Sequence, residues 1–123
     1  MKPTDSELEI LQILWEQGPC SVRHVNDQLN LIKESGYTTT LKLMQIMNQK
    51  GLAERDTTSR THIYTATAKE ERTKAQLLTK FMKNTFKGSA SQLVMSALGS
   101  GQTTKEELQE IRALLNKIES ETK

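Results

Sequence analysis

The 123-residue sequence predicts a mainly α-helical protein with one small β-hairpin, in the order α-α-α-β-β-α-α-α. Three observations predict this fold class. Apolar residues recur at helical spacing up to residue 50, the pattern becomes short and alternating between residues 52 and 65, and helical spacing then returns. Hydrophobic residues make up 35% of the chain and aromatic residues 4%, so the core of a single copy is expected to be small.

The first helix is expected to begin at a capping box, in which the Thr4 hydroxyl and the Glu7 carboxylate each accept from the other's backbone amide. Apolar residues follow at helical spacing as far as Trp15, and Gly18-Pro19 ends the helix. A shorter second helix is expected to start at Ser21.

The third helix is expected from about Thr38 to Lys50 and ends at Gly51, the usual residue for a left-handed stop. Its two faces differ in chemistry. The face expected to meet the core holds Thr40, Leu43, Met44 and Met47. The opposite face is polar, carries little acid, and holds Thr38, Lys42, Gln45 and Gln49.

Residues 52–56 and 61–65 predict a β-hairpin around a polar turn, with Arg55 and Arg60 flanking its tip. A second capping box at Thr67 is expected to open the next helix.

The remaining helices are expected to be separated by glycines. Gly88 ends the fourth helix, Ser89 starts a short fifth one, and Thr104 caps the last. The expected domains are therefore residues 1–67, a winged helix-turn-helix domain, and residues 68–123, a helical dimerisation domain.

Dimerisation is expected because three short helices have little core of their own, and two copies packed across a twofold axis would bury their apolar faces. The alternative is that these helices fold back on the first domain as a monomeric cap. The expected interface residues are Leu78, Phe81, Met82, Phe86, Leu93, Val94, Leu98, Leu108, Ile111, Leu115 and Ile118.

The net charge of +2 is unevenly distributed: residues 1–50 carry −1, residues 51–87 carry +4, and residues 88–123 carry −1. A positive middle third is a mild indication of a polyanionic partner.

The order of three helices and a hairpin is that of a winged helix-turn-helix, whose second motif helix lies in the major groove of DNA. The threonine hydroxyls of the third helix can donate to phosphate, Lys42 can bind a phosphate or a guanine edge, and Gln45 can hydrogen-bond to adenine. A basic hairpin tip suits a wing along the phosphate backbone or the minor groove. The expected DNA-contacting residues are Thr38, Thr39, Leu41, Lys42, Gln45, Arg55, Thr58, Ser59 and Arg60.

Two other interpretations remain open. The polar face of the third helix and the arginines of the hairpin are also typical of an ordinary solvent-exposed surface that binds no partner. The mild net charge would suit a protein-interaction adaptor that uses the winged fold without binding DNA.

Catalysis, metal binding and a cofactor are not expected. The sequence contains no GxSxG elbow, no phosphate-binding glycine loop and no HExxH helix. Cys20, His24 and His62 are too few to build a structural zinc site.

No membrane partner is expected either, because the longest apolar runs span three residues. Acidic residues near the start argue against a signal peptide, and the expected location is the cytoplasm.

Several short segments resemble the bacterial penicillinase repressor family, which includes the β-lactamase and methicillin-resistance repressors and copper-responsive relatives. They are Glu7-Leu8-Glu9-Ile10-Leu11 with Trp15, Tyr37-Thr38-Thr39-Thr40-Leu41-Lys42, Lys50-Gly51-Leu52, Tyr64, Lys87-Gly88, Leu93-Val94, and the helix from Glu107-Leu108 to Lys117. The resemblance covers nearly the whole chain and depends on the order and spacing of these segments.

The resemblance implies a winged-helix repressor that binds a palindromic operator in double-stranded DNA as a homodimer. It also implies a regulatory protease as a partner, since family relatives are inactivated by cleavage in the second domain when a membrane sensor detects a β-lactam. The family's cleaved Asn-Phe bond falls on Ser96-Ala97, where this sequence departs from the pattern. The cysteine ligands of the copper-responsive branch are absent, so direct copper sensing is not expected.

Overall fold

A computed structural model describes residues 2–122 and confirms the mainly helical class with a small antiparallel sheet. The described residues form two compact units, which divide between Gln76 and Leu77. The functional division at residues 67 and 68 stays a prediction. The elements, in chain order, are α1 Asp5–Gln17, β1 Cys20–Ser21, α2 Val22–Asn30, α3 Tyr37–Lys50, β2 Ala53–Asp56, β3 Ile63–Ala66, α4 Glu70–Phe86, α5 Ala90–Gly99 and α6 Lys105–Glu121.

The sheet has three antiparallel strands in the order β1-β3-β2. The hairpin of β2 and β3 was predicted, and its register places Ala53 opposite Ala66 and Asp56 opposite Ile63. The two-residue strand β1 was not predicted; it pairs Cys20 with Tyr64 on the other side of β3. Together α1, α2, α3 and this sheet form a winged helix.

The core of the first unit is built where α1, α2, α3 and the sheet meet. Its buried apolar residues are Ile10, Leu11, Ile13, Leu14, Cys20, Val22, Val25, Leu29, Met44, Met47, Leu52, Ala53 and Tyr64. The half-buried Trp15 packs against this cluster and donates its Nε1 to the Ala68 carbonyl over 2.8 Å. This bond fastens the segment before α4 to α1.

The predicted capping box of α1 is confirmed, and its carboxylate has a second role. Glu7 accepts from the Thr4 amide at 2.9 Å and from the Lys50 ammonium at 2.6 Å. Its side chain is only 2% exposed, so the ion pair joins the start of α1 to the end of α3 inside the unit. Burial alone raises the pKa of Glu7, but the Lys50 ammonium and the Thr4 amide outweigh burial and hold that pKa below its ordinary value.

The connection between α2 and α3 is held by side-chain amides. Asn30 donates to the Asn26 and Ser35 carbonyls at 2.8 and 3.0 Å and accepts from the Ser35 amide at 2.9 Å. The Asn26 amide and the buried Thr40 hydroxyl are hydrogen-bonded at 2.7 Å. These bonds fix the direction in which α3 leaves the turn.

The predicted capping box at Thr67 is wrong. Thr67 donates its hydroxyl to the Gly51 carbonyl at 2.6 Å and its amide to the Leu52 carbonyl at 3.0 Å. These bonds tie the end of the hairpin to the end of α3, and α4 begins later, at Glu70.

The second unit contains the rest of α4 with α5 and α6, and the predicted caps of the last two helices are confirmed. Ser89 accepts from the Gln92 amide, and Thr104 forms a capping box with Glu107. None of residues 77–122 is buried. The rings of Phe81 and Phe86 meet edge to face with centroids 5.7 Å apart.

Candidate nucleic-acid interface

Helix α3 presents the two faces that its sequence pattern predicts. Thr40, Met44 and Met47 are buried in the first unit, and Leu43 is half-buried against the core. The opposite edge is exposed along the length of the helix, and it consists of Thr38, Lys42, Gln45 and Gln49. Its long polar side chains are therefore free to meet a ligand from solvent.

The amino end of α3 carries no side-chain cap: its N-cap residue is Gly36, in an extended conformation. The first amides of a helix have no partner inside the helix, and the helix dipole favours an anion beside them. This end of α3 therefore suits a phosphate, next to the exposed hydroxyls of Thr38 and Thr39.

A cleft of about 480 Å³ lies between α3, the start of α2 and the hairpin. We call it the arginine cleft. Its lining residues are Ser21, Val22, Arg23, Tyr37, Leu41, Gln45, Arg55, Arg60, Thr61, His62 and Tyr64. It brings together four of the residues expected to contact DNA, namely Leu41 and Gln45 from α3 with Arg55 and Arg60 from the hairpin. One residue of the polar edge of α3, Gln45, thus lies in the same cleft as the hairpin arginines.

The arginine cleft is lined by charges of one sign. Among the described residues that line it, none is acidic, whereas three are arginines. Within residues 2–122, no carboxylate lies within ion-pair distance of Arg23, Arg55 or Arg60. A concave surface of this kind attracts a polyanion.

Sequence reasoning did not single out Arg23, Tyr37 or His62 for this surface. The Arg23 guanidinium lies over the Tyr37 ring, with Cζ 5.2 Å from the ring centroid. The two residues belong to different helices, and only the fold brings them together. A signal was available in the position of Arg23, in the first turn of the helix that precedes α3.

The other expected contact residues of α3 lie outside the arginine cleft. Thr38 and Lys42 are exposed on α3, and Thr39 lines a separate pocket of about 320 Å³ beside the α2–α3 turn. They extend the polar surface beyond the cleft.

The hairpin tip is held by its own side chains. Asp56 Oδ1 accepts from the Thr58 amide at 2.9 Å and from the Thr58 hydroxyl at 2.7 Å, and these bonds lower the pKa of Asp56. Ser59 donates its hydroxyl to the Thr61 carbonyl at 2.8 Å. The two hydroxyls expected to contact DNA thus stabilise the turn in the free chain, and a phosphate contact would require them to exchange partners.

The residues expected at a dimer interface are all exposed or half-exposed within one chain. The exposed ones are Leu78, Phe81, Val94, Leu108, Leu115 and Ile118, and the half-exposed ones are Met82, Phe86, Leu93, Leu98 and Ile111. Ser96 and Ala97, the position of the family's cleaved bond, are also exposed and lie inside α5.

Among residues 2–122, no group of three or more His, Cys, Asp or Glu side chains could hold a metal ion. Cys20 is buried, and burial raises the pKa of its thiol. In the same part of the chain, every helix is too short or too polar to cross a bilayer.

A winged helix with a polar third helix and a basic hairpin on one face has the architecture of a winged-helix transcription regulator. The family model described as "Penicillinase repressor" matches residues 3–117. The chain therefore belongs to the penicillinase repressor family, whose members are regulatory repressors rather than enzymes.

Curated relatives agree with this assignment. The chain is 22% identical to the methicillin resistance regulatory protein MecI of Staphylococcus aureus (strain N315) over 114 residues, which are 93% of each chain. Identity and coverage are the same for MecI of Staphylococcus epidermidis. For MecI of Mammaliicoccus sciuri the identity is 21% over the same length.

Proposed function

We propose that this chain is a homodimeric, cytoplasmic repressor that binds a palindromic operator in double-stranded DNA. Helix α3 enters the major groove, where Lys42 and Gln45 meet base edges or phosphates, and Leu41 packs on a thymine methyl. Thr38 and Thr39 bind phosphate beside the uncapped end of α3. The hairpin lies along the backbone or the minor groove through Arg55 and Arg60, with Thr58 and Ser59 at its tip.

One observation carries this proposal: Gln45 of α3 and the hairpin arginines line the same cleft, and none of its described lining residues is acidic. A surface evolved only for solubility has no reason to place its cations together and its carboxylates elsewhere. The same surface is a poor match for an adaptor, whose partner would have to be strongly acidic.

The exposed apolar side chains of the second unit support a homodimer. Its helices place leucine, isoleucine and phenylalanine side chains in solvent, and Leu78, Leu115 and Ile118 are each about half exposed. Contiguous exposed apolar surface marks an interaction site. A second copy presents the same residues, so a twofold axis would cover both surfaces at once.

We infer the regulated genes from the relatives, which are named as regulators of methicillin resistance. This chain would then repress a β-lactam resistance gene, and cleavage in α5 would relieve the repression. A protease that recognises Asn-Phe meets two small side chains at Ser96 and Ala97. We therefore expect slower cleavage than in a variant that carries Ser96→Asn and Ala97→Phe, measured by mass spectrometry after co-expression with a relative's protease. Equal rates would contradict this expectation.

An electrophoretic mobility shift tests DNA binding directly. The probes are a duplex containing an inverted repeat from the chain's own promoter and a scrambled duplex of equal length. We expect preference for the repeat, and an affinity that falls steeply with salt because bound counterions are released. The double variant Arg55→Ala/Arg60→Ala should lose the shift.

The matched control is Arg72→Ala/Arg112→Ala, which removes the same charge from exposed positions outside the arginine cleft. It should retain the shift. No preference for the repeat at any salt concentration would refute the proposed function. Loss of the shift in both double variants would show that net charge, rather than this surface, drives binding.

A further inference from the structure

We propose that Arg23 is a third phosphate-binding arginine of the DNA-contacting face, and that Tyr37 is the positioning residue that holds its guanidinium there. This proposal rests on the proposed function and extends the contact surface from α3 and the hairpin to the first turn of α2.

The geometry places Arg23 at the arginine cleft from the first turn of α2, directly after strand β1, which pairs Ser21 with Ile63 of the hairpin. Ser21 caps α2 by accepting from the His24 amide at 3.1 Å, which fixes the first turn that carries Arg23. Arg23 then lines the cleft together with Gln45 of α3 and with Arg55 and Arg60 of the hairpin. The cleft thus holds three arginines, one from α2 and two from the hairpin, beside Gln45 of α3.

The contact with Tyr37 limits the conformations of the guanidinium without consuming its donors. The guanidinium Cζ lies over the Tyr37 ring, 5.2 Å from the ring centroid, so the attraction is to the face of the ring and uses no hydrogen bond. The N–H groups point outward in the guanidinium plane and stay available for a phosphate. Arg23 is exposed, and the ring that holds it is 42% exposed, so both can meet a ligand.

Arg23 is better placed to bind a phosphate than a base edge. In a helix-turn-helix the first helix of the motif crosses the DNA backbone while the second lies in the groove, and Arg23 is on that first helix. No carboxylate of residues 2–122 pairs with Arg23, so its charge is not already neutralised within the chain.

The test measures binding to a mixed-sequence duplex long enough for two half-sites, by fluorescence anisotropy over a range of salt concentrations. Such a probe needs no knowledge of the operator, since phosphate contacts are independent of sequence. For Arg23→Ala we expect a dissociation constant raised roughly tenfold at low salt. The slope of log affinity against log salt should also become shallower by about 0.9, the value for one lost phosphate contact.

Arg72→Ala is the matched control, because it removes one exposed arginine of the first unit outside the arginine cleft. It should leave the slope unchanged. If Arg23→Ala matches Arg72→Ala in both affinity and slope, Arg23 does not bind phosphate and the proposal fails while the proposed function stands. If the unmodified chain binds neither this duplex nor the inverted repeat at any salt concentration, both fail.

The positioning role of Tyr37 is tested by a double-mutant cycle with Arg23. Tyr37→Phe should keep the affinity, since the phenyl ring still supports the guanidinium, whereas Tyr37→Ala should weaken it. Once Arg23 is already alanine, Tyr37→Ala should have no further effect. Full additivity of the two substitutions would overturn the positioning role. Equal melting temperatures of all variants would exclude a merely structural cause.

Discussion

At the scale of single residues, Glu7 shows how one carboxylate serves both local and long-range structure. Locally it completes the capping box with Thr4, and across the fold it pairs with Lys50. A buried charge is costly unless it is paired and hydrogen-bonded, and here Glu7 Oε1 accepts from both the Thr4 amide and the Lys50 ammonium. The lowered pKa of Glu7 follows from these donors, despite the burial that opposes it.

Glu7→Gln should therefore destabilise the first unit by about 2 kcal/mol at neutral pH, since it leaves the half-buried Lys50 ammonium without its counter-ion. The measurement is the free energy of unfolding in denaturant. Glu9→Gln is the control, because the Glu9–Lys33 pair is exposed and should be worth less than about 1 kcal/mol. Equal losses in the two variants would contradict the role assigned to Glu7.

The same pair predicts a pH dependence. The folded pKa of Glu7 lies below its ordinary value of 4.5, so the stabilisation is fully present above that value. It is lost as the pH falls through the lowered folded pKa. The difference in unfolding free energy between the unmodified chain and Glu7→Gln should accordingly shrink as the pH falls from 7 into the acid range. A difference that does not change with pH would refute this assignment.

Single residues also show where sequence reasoning stops. The hydroxyl of Thr4 was placed correctly because its partner lies three residues away. The hydroxyl of Thr67 was not, because its partner, the Gly51 carbonyl, is reached only through the fold. Arg23 and Tyr37 were missed for the same reason. Side-chain partners distant in sequence carry no local pattern.

At the scale of elements, the glycines at the two ends of α3 have different backbone conformations. Gly51 follows α3 with φ of 80°, a left-handed conformation, and its N–H bonds to the Met47 and Asn48 carbonyls. Gly36 precedes α3 with φ of −81°, which any residue adopts. A Cβ added at either position would have no other atom within 4 Å. The two glycines therefore differ only in their backbone conformation.

Gly51→Ala should lower the free energy of unfolding by about 1 kcal/mol, the cost of the left-handed conformation for a residue with a Cβ. Gly36→Ala should change it by less than about 0.5 kcal/mol, because the smaller entropy of the unfolded chain offsets a poorer N-cap. Thermal or denaturant unfolding of the two variants compares them directly. A larger loss in Gly36→Ala than in Gly51→Ala would refute the explanation.

Most helices could be predicted from sequence because their ends are marked by local chemistry. The caps at Thr4, Ser89 and Thr104 lie where the pattern placed them, and α3 begins one residue before the expected Thr38. Strand β1 could not be predicted, since two residues have no periodicity and form a strand only by pairing with β3.

At the scale of the whole molecule, one chain has its buried residues in the first unit and exposed apolar residues in the second. The helical spacing of apolar residues predicted the helices of both units, but exposure within a single chain does not identify the partner that covers the second unit. The sequence indicated the basic surface through Arg55, Arg60 and an excess charge of +4 over residues 51–87, but it did not indicate that Arg23 joins them in the arginine cleft.

Leu115→Glu should weaken self-association roughly tenfold or more, if the second unit is the interface, because it places a charge among apolar side chains. Sedimentation equilibrium should give twice 13.9 kDa for the unmodified chain at micromolar concentration and a smaller mean mass for the variant. The control is Leu31→Glu, at a leucine of the first unit that is 78% exposed. A monomeric unmodified chain, or equal effects of the two substitutions, would overturn the proposed interface.

The bond between Trp15 and the Ala68 carbonyl gives the chain a built-in optical reporter. Trp15 is its single tryptophan, so intrinsic fluorescence arises chiefly from an indole whose N–H is held by the segment leading into α4. Release of that segment would hydrate the indole and shift its emission to longer wavelength. Detachment at this junction could therefore be followed in unlabelled protein, separately from the loss of helical circular dichroism that accompanies global melting.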